Sequence, residues 1–500
     1  MATTDSEQRP AGDVDPDAAA RYHARVLWAL ALLGGGVLWL RPIASSFWMD
    51  ELVTWWTIKG SLGETVSRSL TYQGTSPLYY AISWGVAQVG RSEWMLRVPS
   101  LAASFVAVYL MYRLAVRLVD REFARLTVVA FVVWPAISFE ASNARAYAIA
   151  VMLAVGSWLA LVRWLDEGQR SDVVLYVACA VLVIYTHYLF ALIVPAQLLY
   201  ALVRAREGSA QVRTRSIWLS MAAIAALSLP TVAQLVSLFG RSASLTIPGE
   251  VSVGWLSDLL VPAAAIAALV LGGALAWLSD KVSLHVPPMR RSAVVLVLSW
   301  LLLPLLVLGA ISLFTPLRFL TARYTLSAAP AACLLLAGCF RAIGPASARR
   351  IVVFVFVILS VLQLAGPFKA TEDWRWAAAE AQSMQSGRTV VLLHPALVES
   401  SQLDWFADPE RNSYLLTPTS YYDFPDEVIG VPYLVTAEGE AYLGAQLDAV
   451  LPRVDTVVLV TRFPVVPYRA WLEGRLGELG WEVARVESRG SMVVVQFARR

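Results

Sequence analysis

Residues 292–313 read SAVVLVLSWLLLPLLVLGAISL and contain no ionisable side chain. A helix needs about 20 predominantly apolar residues to cross roughly 30 Å of hydrocarbon, so this run is read as a membrane span. Ile217–Gln234 and Ile351–Ala365 are equally free of charge. Of the 500 residues, 58% are hydrophobic and only 15% charged, with a mean hydropathy of +0.59. A soluble chain carries roughly a quarter charged residues. The composition therefore describes an all-α polytopic membrane protein over most of its length.

Working outward from 292–313, spans are expected near 26–44, 98–118, 127–139, 148–164, 173–186, 188–203, 217–235, 255–278, 324–340 and 351–366, about 11 in all. Their orientation follows from charge, because cytoplasmic loops are enriched in Lys and Arg. The loops at 113–125, 163–172, 204–215, 279–291 and 341–350 hold 16 such residues, and the alternate short loops hold four. That asymmetry works only if residues 45–97 all lie outside. The apolar segment Pro77–Gly90 is then a juxtamembrane or re-entrant helix, the N-terminus is cytoplasmic and the C-terminus extracytoplasmic. These features suit a multi-pass protein of a bacterial-type plasma (inner) membrane.

Composition divides the chain further. Residues 1–25 are largely polar and Pro/Ala-rich, a disordered cytoplasmic tail without signal-peptide character. Residues 26–366 form the membrane module, with 45–97 as its first extracytoplasmic loop. Residues 367–500 mix charge with alternating patterns: helix-like at Glu372–Gln385 and Glu438–Val450, strand-like at Thr389–His394, Thr456–Thr461, Trp481–Val486 and Met492–Phe497. That alternation predicts a small extracytoplasmic α/β domain. Cys179, Cys333 and Cys339 fall in apolar segments and read as packing residues. The net charge of +3 carries no basic block with interleaved aromatics, so nucleic acid is not an expected partner.

With this topology the outer-face ionisable residues are few and stand at span ends. Asp50 and Glu51 follow the first span; Lys59, Glu93, Arg97, Arg145, His187, Arg318 and Arg323 come later, among Tyr79, Tyr80, Tyr147 and Tyr324. Carboxylates and cations on one face beside aromatic surfaces suit an anionic lipid and a sugar. Each residue also has a plainer reading. Asp50 and Glu51 could cap a helix, the aromatics could form an interfacial belt, and Arg318 and Arg323 could be snorkelling anchors.

Several motifs resemble a known family. Phe47-Trp48-Met49-Asp50-Glu51, Ser76-Pro77-Leu78-Tyr79-Tyr80 and Glu93-Trp94-Met95-Leu96-Arg97 are similar to the opening of the GT-C glycosyltransferases of the protein O-mannosyltransferase and aminoarabinose-transferase type (family 39/83-like). Ala144-Arg145-Ala146-Tyr147, Tyr185-Thr186-His187-Tyr188 and Ala322-Arg323-Tyr324 extend the likeness. Two departures stand out. Thr75-Ser76 replaces the His-Pro common in relatives, and Asn143 stands where many have Glu, with Glu140 three residues earlier.

The resemblance implies a GT-C-like fold and inverting transfer of one sugar from a polyprenyl-phosphate donor to a lipid, glycan or protein acceptor outside the membrane. On that basis Asp50, supported by Glu51, is the expected catalytic base. Arg323, Arg318, Lys59 and Arg145 are expected at the donor phosphate, and Tyr79, Tyr80, Glu93, Tyr147, His187 and Tyr324 at the substrates. No cluster shows metal-ligand spacing, so no obligatory metal is expected; a divalent cation between Asp50 and Glu51 stays open, because oxygen-ligand sites need no fixed spacing. Two other classes share some of these features. A lipid-linked glycan polymerase or ligase would use the same face, and a secondary transporter would instead place charges at mid-membrane beside broken helices.

Overall fold

The computed structural model describes residues 35–75, 77–241, 262–285, 288–315, 323–365, 372–462 and 467–499. Each of the expected apolar segments contains a helix where it is described, while residues 26–34, 255–261 and 366 of those segments lie outside the described residues. Among the described residues, five helices are single and long enough to cross a membrane: Glu93–Leu118, Tyr147–Glu167, Tyr188–Arg206, Arg291–Phe314 and Ala346–Leu364. Two further segments are broken. Arg121–Val132 meets Pro135–Ala141 at 66°, and Thr214–Ser228 meets Pro230–Leu238 at 59°. Both breaks have the same cause: a proline opens the second helix, and its ring and missing N–H cannot continue the first. Counting each bent pair as one span gives seven by length and apolarity. Ala263–Leu278, Thr325–Arg341 and Arg170–Thr186 are helical but only 16 or 17 residues long.

Between the first span and Glu93 the chain forms three short helices, α1 (Met49–Ile58), α2 (Leu62–Tyr72) and α3 (Pro77–Ala87), before the long α4 (Glu93–Leu118). The 11 residues of α3 rise only about 16 Å, half of what a crossing needs. Ser61 caps α2 by accepting from the Glu64 N–H, while Glu64 returns a bond to the Ser61 N–H. This reciprocal cap sets a sharp corner between α1 and α2.

The C-terminal segment is built on a five-stranded sheet: β1 (Thr389–His394), β2 (Glu427–Gly430), β3 (Thr456–Thr461), β4 (Trp481–Arg489) and β5 (Met492–Arg499), in the order β2-β1-β3-β5-β4. β1 is parallel to both β2 and β3, and β5 runs antiparallel to β3 and β4. The edge strand β4 carries Glu482, Arg485, Glu487 and Arg489, charges that discourage edge pairing.

Side chains alternate across a strand, and here the alternation splits the domain's core in two. Val390, Leu392, Val457, Leu459, Val493 and Val495 pack with Leu443 and Leu447 of Ala437–Val450 and with Leu472 and Leu476 of Pro467–Glu478. Val391, Leu393, Val458, Val460 and Val494 face the other way, and their cluster runs on through Trp374 into Phe47, Trp55, Trp56, Tyr79 and Tyr80 of the membrane module. The change in composition at 367 thus does not mark a separate core. One face of the sheet is buried on the helices that carry the candidate site.

Candidate active site

Asp50 and Glu51 are consecutive in the first turn of α1, so their side chains point about 100° apart. Glu51 turns inward. Its side chain is fully buried and paired with Arg97, whose Nη2 and Nε lie 2.5 and 2.7 Å from its two oxygens. Oε1 also accepts from the Ala144 N–H at 2.7 Å, and Oε2 from the Trp48 N–H at 3.3 Å. Arg97 spends its other donors on the carbonyls of Pro42, Ile43, Ser45 and Ser46. Glu51, expected as a supporting catalytic carboxylate, is instead a strut joining α1, α4, residues 42–46 and residue 144. The helix-capping part also falls to Glu51, since the Asp50 side chain bonds no backbone N–H among the described residues.

Breaking a buried pair by removing one partner leaves an uncompensated charge and costs about 3–5 kcal/mol. Arg97→Met is therefore expected to lower the thermal midpoint of the detergent-solubilised protein sharply. The double variant Arg97→Met/Glu51→Leu should recover much of the loss. Equal stability of single and double variants would refute the strut assignment.

Asp50 turns toward two guanidinium groups. Arg323 Nη1 donates to Oδ2 at 2.9 Å, and Arg145 Nη2 lies 3.7 Å from the same oxygen. Arg145 Nη1 also donates to the Asp50 backbone carbonyl at 3.1 Å. The strut explains this placement: by holding the Ala144 N–H, Glu51 sets the next residue, Arg145, beside its own neighbour Asp50. Both guanidinium contacts use Oδ2, and among the described residues nothing bonds Oδ1. Burial pushes the Asp50 carboxyl up, but Arg145, Arg323 and Arg462 together hold it below the usual carboxylate range. The group stays ionised, with one oxygen available.

Aromatic rings complete the cluster. Arg323 lies over the Tyr324 ring at 5.4 Å, Tyr324 is 6.3 Å from His187, and His187 is 4.8 Å from Tyr147. Burial, then Arg145 and Arg323, push the His187 imidazole down to about 3, so it is neutral. Its Nδ1 has no hydrogen-bond partner among the described residues. Tyr79 and Tyr80 are buried beside Arg145, and burial raises both hydroxyls above their ordinary value. Tyr80 Oη bonds Gln73 Oε1 at 3.2 Å.

Two further expected site residues, Lys59 and Glu93, lie elsewhere. Lys59 ends α1, nine residues or about 13 Å along the axis from Asp50, and its Nζ is 3.4 Å from Ser413 Oγ. Glu93 pairs with Arg375 at 2.5 Å and accepts from Tyr422 at 3.1 Å, which makes it a docking contact for the C-terminal domain. Arg318, like Ser76, lies outside the described residues. Asn143, in place of the common Glu, accepts from the Trp48 indole at 2.8 Å and donates to Glu140 at 2.9 Å, a double role that a carboxylate could not play. Arg462 and Tyr422 carry no signal in the sequence reading, and Glu372 enters it only as the start of the helix-like run 372–385, not as a site residue. They are more than 300 residues from Asp50, and nothing local marks them.

Asp50 with its two arginines and the aromatic wall is a compact anion-and-hydroxyl site. Among the described residues no three His, Cys, Asp or Glu side chains gather as metal ligands. Residues 74–233 match the family model described as dolichyl-phosphate-mannose-protein mannosyltransferase. This range contains Tyr79, Tyr80, Arg145, Tyr147 and His187, but neither Asp50 nor Arg323. No curated protein sequence matches the chain.

Among solved structures, ArnT from Cupriavidus metallidurans in the apo state is similar with a TM-score of 0.52 and 13% identity, over 96% of this chain and 98% of that one. The same enzyme bound to undecaprenyl phosphate gives 0.54 and 11%, over 94% and 97%. The arabinofuranosyltransferase AftD from Mycobacteria gives 0.51 and 14%, over 96% of this chain and 40% of that one. The chain has the GT-C fold, as its motif order implied.

Proposed function

We propose that this protein is a membrane glycosyltransferase that moves one sugar from a polyprenyl-phosphate donor to an acceptor hydroxyl on the extracytoplasmic face, with inversion. The observation that carries the reading is Asp50: an ionised carboxylate with Oδ1 open and Oδ2 against two guanidinium groups. The acceptor oxygen attacks the anomeric carbon as the bond to the donor phosphate breaks. The acceptor proton passes to Asp50, and the electron pair of the broken bond leaves on the polyprenyl phosphate. Arg323, 37% exposed at its side chain, can reach the departing phosphate, and Arg145, on the same Asp50 oxygen, adds positive charge beside it. Tyr147, Tyr324, His187, Tyr79 and Tyr80 supply ring faces and hydrogen-bonding groups for the sugar. The binding of undecaprenyl phosphate by the ArnT of similar fold supports a lipid-phosphate donor.

No metal is needed in this scheme. A cation between Asp50 and Glu51 would face three arginines already in place (Arg97, Arg145 and Arg323), whose positive charge opposes it. The acceptor is a lipid, glycan or protein hydroxyl.

Purified protein incubated with a panel of polyprenyl-phosphate sugars should release free polyprenyl phosphate, and the sugar retained through purification should be identifiable by mass spectrometry. A protein that neither retains nor cleaves any such lipid would sink the reading. The orientation is tested separately. A reporter active only outside the cytoplasm, fused after residue 500, should be active; a silent fusion alongside an active cytoplasmic reporter would mean that 77–90 crosses the membrane.

A further inference from the structure

The helix that carries Asp50 is capped only in part by its own sequence, through Glu51, whose Oε2 accepts from the Trp48 N–H. Its N-cap residue is Trp48, which offers no side-chain acceptor. The N–H groups on either side of Trp48 find partners more than 300 residues away. Phe47 N–H donates to Tyr422 Oη at 2.8 Å, and Met49 N–H donates to Glu372 Oε2 at 2.9 Å. Both acceptors are buried. Glu372 is itself fixed, with Oε1 2.7 Å from Nε and Nη2 of Arg462. Tyr422 is fixed by Ser46 Oγ at 3.0 Å and Glu93 Oε1 at 3.1 Å. The Arg375 N–H donates to the same Ser46 Oγ at 3.1 Å.

Arg462 directly follows β3, and its N–H donates to the carbonyl of His394, the last residue of β1, at 3.3 Å. It therefore leaves the carboxyl end of the two central parallel strands, the edge at which α/β sheets meet ligands. That edge here meets the start of α1.

We propose that the C-terminal domain is a working part of the active site: Glu372, Tyr422 and Arg462 are positioning residues that hold the first turn of α1, and so the Asp50 carboxylate, in its reactive place. Three consecutive amides, those of Phe47, Trp48 and Met49, are held by Tyr422, Glu51 and Glu372. Two of the three clamps thus come from the C-terminal domain, and loss of either leaves a buried N–H unmatched. Arg462 contributes charge as well, since it belongs with Arg145 and Arg323 to the cations that hold the Asp50 carboxyl down. Among the described residues, the Tyr80 and Tyr414 hydroxyls also feel the Asp50 charge. The positioning claim stands on the hydrogen bonds; its kinetic arm rests on the proposed glycosyl transfer.

The test therefore has two arms on the full chain. Hydrogen–deuterium exchange of the peptide spanning 45–55 should quicken roughly tenfold in Glu372→Ala and in Tyr422→Phe, with protection of α4 unchanged. In Arg462→Gln, kcat should fall roughly tenfold with little change in donor KM. Removing a cation raises the Asp50 carboxyl, so the acid limb of the kcat–pH profile should move to higher pH. A merely structural role would lower the folded fraction and leave that limb in place. Should Glu372→Ala fail to fold, Tyr422→Phe and Arg462→Gln carry the test. Unchanged exchange at 45–55 overturns the positioning claim. If wild type transfers no sugar at all, the functional reading falls alone and the exchange arm still decides this one.

Discussion

Asp50→Asn should lose most sugar transfer, by about 10²–10⁴-fold, the usual contribution of a general base. The side chain is nearly isosteric and keeps an acceptor for Arg323, so folding and donor retention should survive. What is lost is the ability of Oδ1 to take a proton. The alternative is that Asp50 serves only as a counter-ion for Arg145 and Arg323. On that account a neutral amide would loosen both arginines, so the variant should lose thermal stability and donor retention along with activity. Measuring transfer, retained lipid-phosphate-sugar and thermal midpoint on one preparation separates the two. An Asn variant with near-normal transfer would remove Asp50 from the chemistry. The ionised state of Asp50 also fixes the pH behaviour. Because its arginine neighbours hold the carboxyl below the ordinary range, wild-type transfer should not fail on the acid side until well below neutral pH.

Arg323→Lys should not behave as wild type. The lysine keeps one charge but loses the planar fork that meets phosphate through two parallel hydrogen bonds. Losing one preorganised donor to a developing anion typically costs about 10²–10³-fold in kcat, and the neutral Arg323→Gln should fall at least as far, with a raised donor KM. The same substitution removes a cation from Asp50, so the acid limb of the pH profile should move upward in Gln and far less in Lys. This difference distinguishes the two duties of Arg323: Lys restores the field at Asp50 without restoring the fork. A Lys variant equal to wild type in both kcat and donor KM would rule out a bidentate phosphate role.

The motif reading and the observed geometry part company over Glu51, Glu93 and Lys59. All three stand on the expected outer face, close in sequence to Asp50 or within a matching motif. Yet sequence adjacency on a helix means divergence: Asp50 and Glu51 cannot face one site, and the choice of which turns inward depended on where Arg97 would lie. Glu93 is claimed by Arg375, a partner 282 residues later, and Lys59 sits beyond reach at the far end of α1. Conversely, Arg323 could be read as a snorkelling anchor until it is seen with Arg145 on one oxygen of Asp50.

The sequence by itself determined whatever depends on local composition and period. The uncharged runs had to be helices in a bilayer, because only there are all backbone groups satisfied within one segment. The strands Thr389–His394 and Thr456–Thr461 were legible to the residue, because both faces are buried and each run has a core of Val and Leu with no charged residue. Segments 127–139 and 217–235 read as continuous spans from their apolar runs; the structure breaks them at Pro135 and Pro230, at angles that packing sets. Only the tertiary structure decided that one carboxylate of an adjacent pair is a strut and the other is open. It also decided that the N-terminus of α1 is capped from the C-terminal domain. Ion pairs and caps need only a few ångströms of proximity, and no local pattern records proximity between residues hundreds of positions apart.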